Sequence, residues 1–218
     1  VEKQAAQNII YTEVRYSPHL LADGGAMGSV EKADPAPVLE AVTRGLRAGV
    51  AKYGVTVNQI LCCITWRPEW AAEIVELAAA HRESWPCAVV GIDIAAGEAH
   101  FDGEAHPELH QRHRLAFARA KELGLRVTMH AAEDSPAENV RRAMVDYGAE
   151  RIGHGYRLVG EGGNPEIVAS MVQRRVHVEA CPTSSFETGG WVGLAAEATH
   201  WAQHPIAELV RAGVSLGL

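Results

Sequence analysis

The sequence predicts an α/β fold, a parallel sheet wrapped in helices, and three observations predict it. Short apolar runs rich in Val and Ile recur along the chain. Longer segments with helical spacing separate them, most opening at a proline. The composition is that of a globular protein, with 218 residues, 47% hydrophobic and 22% charged. A chain of this size buries roughly 70% of its unfolded surface, so one large core needs no disulfide staples. A single domain over residues 1–218 is expected.

The apolar runs cover residues 9–16, 59–66, 88–95, 126–133, 151–156, 177–183 and 214–218. Their β-branched content and lengths of roughly 4 to 8 residues suit strands buried on both faces. Helical spacing over 37–53 places Val38, Leu39, Val42 and Leu46 on one stripe behind Pro37. Over 68–82, Ile74, Val75, Leu77 and Ala78 turn inward, again behind a proline. The segment 107–123 ends at Gly124, where a residue without a side chain favours the left-handed helix stop. Ser135 before Pro136 is expected to cap the next helix, which Gly148 ends. Segments 165–174 and 205–212 complete the set. The stretches 22–35 and 186–204 read as irregular loops.

Seven strands alternating with helices imply a parallel sheet with right-handed crossovers. An open doubly wound sheet and a closed eight-stranded barrel both meet that description. No Gly-x-Gly-x-x-Gly follows the first strand, so the dinucleotide-binding form lacks its marker. A barrel needs an eighth strand, expected outside residues 1–218.

The formal net charge is -7, with only 20 Lys and Arg scattered along the chain. Nucleic-acid and anionic-membrane surfaces cluster such residues, so the expected partner is a small molecule, with no nucleic acid and no membrane. No apolar run approaches the ~18 residues of a membrane span. The four cysteines, at 62, 63, 87 and 181, form no Cys-x-x-Cys pair. They read as free thiols in a reducing compartment, which points to the cytoplasm. Cys62 and Cys63 are adjacent in a strand and should face opposite sides. Cys181 reads as packing.

Polar residues stand where the strands end, at Asp93 to Glu98, at His130-Ala-Ala-Glu133 and at Gly153-His154-Gly-Tyr156. In a barrel these ends share one mouth, where loops build the active site. A neutral imidazole at 130 is a zinc donor, and a carboxyl at 133 beside the metal can carry a proton between water and substrate. Glycines on both sides of His154 leave its ring unobstructed. Single copies of these residues are unremarkable, since His-x-x-Glu arises often by chance and a lone His is usually a core residue. Adjacent strands each bringing a His to one rim are the informative pattern. A second group, His106, His110 and His113, shares one helical face and reads as a solvated surface on the outer layer. His100, His177, His200 and His204 carry no spacing signal. Neither a Gly-x-Ser-x-Gly nucleophile turn nor a phosphate-binding Gly-x-x-x-x-Gly-Lys loop occurs.

Taken together, Glu13-Val-Arg-Tyr-Ser-Pro-His-Leu-Leu21, Ile60 to Cys63, Asp93 to Glu98, His130 to Glu133, Gly153 to Tyr156 and Glu179-Ala-Cys-Pro-Thr-Ser-Ser185 resemble the adenosine deaminase family of the amidohydrolase superfamily. The strings occur in family order over nearly the whole chain, and the first is more similar to adenosine deaminases proper than to relatives acting on the monophosphate. The resemblance implies a TIM (β/α)8 barrel, of which strands 2 to 8 are visible, with one Zn2+ at its mouth. It implies hydrolytic deamination of adenosine, and of 2′-deoxyadenosine, to inosine and ammonia by a zinc-activated water. Carried over, His130 is a zinc ligand, Glu133 gives a proton to purine N1, and His154 orients the attacking water. A backbone N–H at Ala96 or Gly97 would meet purine N3, and Leu20 would line the nucleoside pocket.

Departures accompany the resemblance. The family's His-x-His zinc pair is absent, and the chain stops at Ser215-Leu-Gly-Leu218, where its Asp-Asp pair would follow. Both are expected on ends not included, so the remaining zinc ligands should lie outside this segment. Alanine stands at 96 and 132 where the family has glycine, and an added methyl there would crowd substrate or require another backbone angle. A deaminase of a modified adenine or another aminopurine, and a non-catalytic nucleoside-binding relative, are the competing readings.

Overall fold

The structure is a computed structural model describing residues 1–22, 34–98, 106–190 and 201–217. Its strands are β1 (Tyr11–Tyr16), β2 (Thr56–Ile64), β3 (Val89–Ala95), β4 (Arg126–Ala131), β5 (Arg151–His154), β6 (His177–Glu179) and β7 (Ser215–Gly217). The helices are α1 (Glu2–Ala6), α2 (Pro18–Ala22), α3 (Ala36–Tyr53), α4 (Ala71–His81), α5 (Pro107–Glu122), α6 (Glu138–Asp146), α7 (Pro165–Arg174), α8 (Pro182–Thr188) and α9 (Ile206–Arg211).

All seven strands join one sheet in the order β1 to β7, each pair parallel. A doubly wound sheet reverses its order at a switch point, and this one never does. The sheet also curls. Arg151 on β5 pairs with Glu13 on β1 at 2.6 Å, and Arg15 on β1 pairs with Glu179 on β6, although these strands are far apart in the sheet. This is the α/β architecture of an incomplete TIM barrel.

The core lies between the sheet and its helices. Leu61, Ile92, Ile94, Met129, Ile152 and Val178 are all but inaccessible and pack against Ile74, Val75, Phe117, Val140, Ile167 and Leu209. Burying one such side chain contributes about 1.5–3 kcal/mol. Alternation then turns their strand neighbours inward, as expected for Cys62 and Cys63. Cys63 joins this outer core, whereas Cys62 packs with Ile64 and Trp70 and lies 3.8 Å from Asp93.

Strand ends are where sequence and structure part. Periodicity carries the fourth, fifth and sixth strands to 133, 156 and 183, but they stop at Ala131, His154 and Glu179. Ala132, His154 and Gly155 have φ of 59°, 72° and 68°, which turns the chain off the sheet while the sequence stays apolar. After β6, Pro182 opens helix α8 and Gly189, with φ 74°, ends it. Residues 186–188 are therefore helical rather than loop. Residues 23–33 and 191–200, which hold most of the two expected loops, lie outside the described residues. Ser135 does not cap α6, whose N-cap is Ala137 without a side-chain bond. Its hydroxyl instead accepts the Ala132 N–H at 3.1 Å, which holds the turn after β4.

Candidate active site

Strand register sets the site. His130 on β4 lies opposite Gly153 on β5, and Ala131 lies opposite His154. Because Gly153 has no side chain, the His130 ring lies against its backbone. A Cβ there would sit 3.1 Å from the ring Cγ. The His130 and His154 rings meet edge to face, 5.2 Å apart at 63°. The turn at Ala132 then folds Glu133 back, bringing its Oε2 within 3.4 Å of His154 Nε2. The structure thus brings together the three side chains that the strand-end pattern singles out.

Four residues that the sequence reading left without a role hold these three. Asp93, fully buried on β3, faces the His130 Nδ1 at 3.0 and 3.2 Å. Glu98 accepts the backbone N–H groups of Glu133 at 3.2 Å and Ser135 at 3.0 Å, which fixes the turn carrying Glu133. The Thr188 hydroxyl lies 3.2 Å from Glu133 Oε1, and Gly190 packs directly on the Glu133 side chain. The acidic strand end 93–98 was the only signal for the first two. Thr188 and Gly190 reach the site through α8, which no strand pattern reveals.

Burial raises the Glu133 carboxyl above its ordinary value, opposed by Thr188. Burial, with His130 adding to it, pushes His154 down to about 4 and keeps that imidazole neutral. Burial works against charge on His130 too, but the Asp93 carboxylate outweighs it and raises that group. Deeper in the barrel, Arg15 bridges Asp93 and Glu179, and Arg151 bridges Glu179 and Glu13. Burial alone would raise Glu179; its two guanidinium partners reverse that and lower it.

Leu20 and Ala96 both pack on the cluster formed by Cys62, Ile64 and Trp70, so the first three strands supply one apolar patch at their C-terminal ends. Ala96 and Gly97 have φ of 73° and 53°, and Thr65 donates its hydroxyl to the Ala96 carbonyl. Ala132 is also left-handed, at 59°. Neither alanine has shifted the backbone to the ordinary region for an L-residue. Both hold a conformation that glycine adopts freely, and such residues gather at functional rims.

The solvated-face reading fails for His113 and His110, whereas His106 stays partly exposed beside Glu108. His113 is fully buried, its Nε2 lies 3.0 Å from the Thr65 carbonyl, and burial pushes it down to about 4. His110 Nδ1 lies 2.6 Å from the Tyr147 hydroxyl. The polar stripe packs against α6 and the end of β2, because an outer barrel helix still has neighbours on both sides. Cys181 is exposed rather than packed, and its backbone N–H donates to Tyr156 at 2.9 Å. His204 is buried edge-on to Tyr156, 4.8 Å between rings. His100 and His200 lie outside the described residues.

Among the described residues, no three His, Cys, Asp or Glu are arranged to hold a metal ion. His130 fits as a single donor. Its Nδ1 faces a carboxylate, the partner that metal-binding imidazoles commonly have, leaving Nε2 for a metal. Zinc takes three or four protein donors, of which His130 could be one. No helix among the described residues is long and apolar enough to cross a membrane.

The family model for adenosine deaminase matches residues 1–218. Adenosine deaminase from Bos taurus is 36% identical over 203 residues, covering 88% of this chain and 51% of the relative. An amidohydrolase from Burkholderia ambifaria, solved with bound zinc, superposes with a TM-score of 0.76 at 25% identity, covering 99% of this chain and 53% of that one. The Arabidopsis protein ADAL complexed with IMP gives 0.72 at 26% identity, over 100% and 57%. The chain spans about half the length of the curated relatives it matches. With its strand order, its strand-end histidines and this match over every residue, the chain belongs to the adenosine deaminase family.

Proposed function

We propose that the protein is a zinc-dependent hydrolytic deaminase of adenosine, and of 2′-deoxyadenosine, giving inosine and ammonia. One observation carries this reading. His130, Glu133 and His154 converge from adjacent strand ends, with the Glu133 carboxyl 3.4 Å from the His154 imidazole. Family membership and the name of the bovine relative support the choice of adenosine.

Each side chain then has one task. Glu133, whose burial favours the protonated form, gives its proton to purine N1, so that the ring need not carry a full negative charge as water adds at C6. His154, neutral and beside that carboxyl, orients the water and accepts its proton. His130 is one donor to zinc, which when bound lowers the pKa of water from 15.7 toward about 7. Leu20 lines the nucleoside pocket, and a backbone N–H at Ala96 or Gly97 meets purine N3.

The test is the absorbance change on deamination, measured on adenosine beside its 5′-monophosphate. The full-length protein should turn over adenosine. Glu133→Gln should lose about 10²- to 10⁴-fold in kcat with unchanged zinc content. A variant with near-normal rates removes Glu133 from the chemistry, and turnover of the monophosphate alone replaces the substrate.

A further inference from the structure

Asp93 has no exposed side-chain surface, and a buried carboxylate is retained only where partners compensate its lost hydration. Two charged or chargeable partners lie close to it, with the Cys62 thiol farther off at 3.8 Å. Arg15 Nε stands 3.2 Å from its Oδ2, and His130 Nδ1 stands 3.0 Å from the same oxygen and 3.2 Å from the other. Arg15 does not depend on Asp93, because its guanidinium is also bonded to Glu179. His130 has no second acceptor for its Nδ1 hydrogen among the described contacts. The ring's face meets the Gly153 backbone, where a Cβ would fall 3.1 to 3.3 Å from three ring atoms.

We propose that Asp93 is the positioning residue for His130. Its carboxylate takes the Nδ1 hydrogen and so fixes the tautomer whose Nε2 lone pair is open to a metal ion. Arg15, anchored by Glu179, holds that carboxylate in place. Asp93 touches neither substrate nor metal and acts through the imidazole. The inference rests on reading His130 as a zinc ligand.

Asp93→Leu keeps the branched shape, removes the acceptor and leaves Arg15 paired to Glu179. Asp93→Asn keeps one acceptor oxygen. Two measurements on the full chain separate this role from a structural one. The first is the pair of ring ¹⁵N shifts of His130 in metal-free, histidine-labelled protein. The second is zinc affinity by chelator competition. Asp93→Leu should lose the Nδ1–H form and weaken zinc by about 10- to 100-fold, and Asp93→Asn should recover much of both. Retention of the Nδ1–H form in Asp93→Leu, or zinc affinity within twofold of wild type, overturns the proposal. If Asp93→Leu does not fold, Asp93→Ala is read in its place: loss of the Nδ1–H form there supports the proposal, and its retention overturns it. If the full-length wild-type protein takes up no zinc, the metal reading of His130 fails, and the ring shifts still decide the role of Asp93.

Discussion

Replacing Gly190 with alanine places a methyl carbon 2.5 Å from Glu133 Cγ, 2.6 Å from Oε1 and 2.8 Å from Cδ. All three are closer than real Cβ contacts, so something must move. The nearest atoms belong to one flexible side chain, so the carboxyl yields before the backbone does. To reach an ordinary contact of 3.4 Å, Oε1 must retreat by about 0.8 Å. That movement strains its 3.2 Å contact with Thr188 and its approach to His154. A displacement near 1 Å in a reacting group can cost about 10²-fold in rate, or about 2.7 kcal/mol of barrier. Gly190→Ala should therefore lower kcat on adenosine by roughly that factor, while the melting temperature stays within a few degrees. Rates and melting curves on the same preparation check both halves. Undiminished turnover would show that Glu133 does not need its observed position. A matching collapse of the fold would show that the backbone, not the carboxyl, gives way.

Two further perturbations probe the scaffold. His113 ordinarily titrates near 6.5 and is pushed down to about 4. Between these values the unfolded chain binds a proton that the folded chain refuses, so its contribution is full above 6.5 and is lost as pH falls. The difference amounts to about 2 kcal/mol between pH 7 and pH 5. His113→Gln should flatten the denaturation midpoint over that range by this amount, and an unchanged slope refutes it. Ala96, half-buried with φ 73°, carries a left-handed cost of about 1–2 kcal/mol, partly offset by the flexibility glycine adds to the unfolded chain. Ala96→Gly should raise stability by about 0.5–1 kcal/mol in denaturant titration, and a loss would mean that the methyl packs usefully.

The wound sheet was legible because its signals are one-dimensional. Strands buried on both faces are apolar and prolines mark the helix starts, so a parallel sheet with right-handed crossovers follows without coordinates, whereas the strand order that separates a barrel from a doubly wound sheet does not. His130, Glu133 and His154 were legible for the opposite reason, being polar residues where an apolar run ends. What holds them was hidden. Asp93 and Glu98 stood out as acidic residues on one strand end, but only the curl of the sheet shows which atoms they face. Thr188 approaches Glu133 from 55 positions along the chain, a distance that no local pattern spans. The error over His113 has the same origin, since spacing identifies a helical face without identifying what covers it.

The barrel's interior carries a row of charges that the proposed role of His130 would account for. Glu13, Arg15, Asp93, Arg151 and Glu179 fill the space inside the sheet with alternating charge, where apolar packing of equal volume would be at least as stable. Stability alone is a weak reason to keep them. Linked in sequence they form a relay of fixed positions: Glu13 to Arg151, Arg151 to Glu179, Glu179 to Arg15, Arg15 to Asp93, and Asp93 to the imidazole of His130. Four strands, β1, β3, β5 and β6, thereby bear on the orientation of one ring on β4. An imidazole that must meet a metal at one nitrogen needs the other held to a fraction of an ångström, and a lone hydrogen bond on a mobile side chain does not supply that. If His130 is the zinc donor proposed above, this charged row is what holds its ring in register.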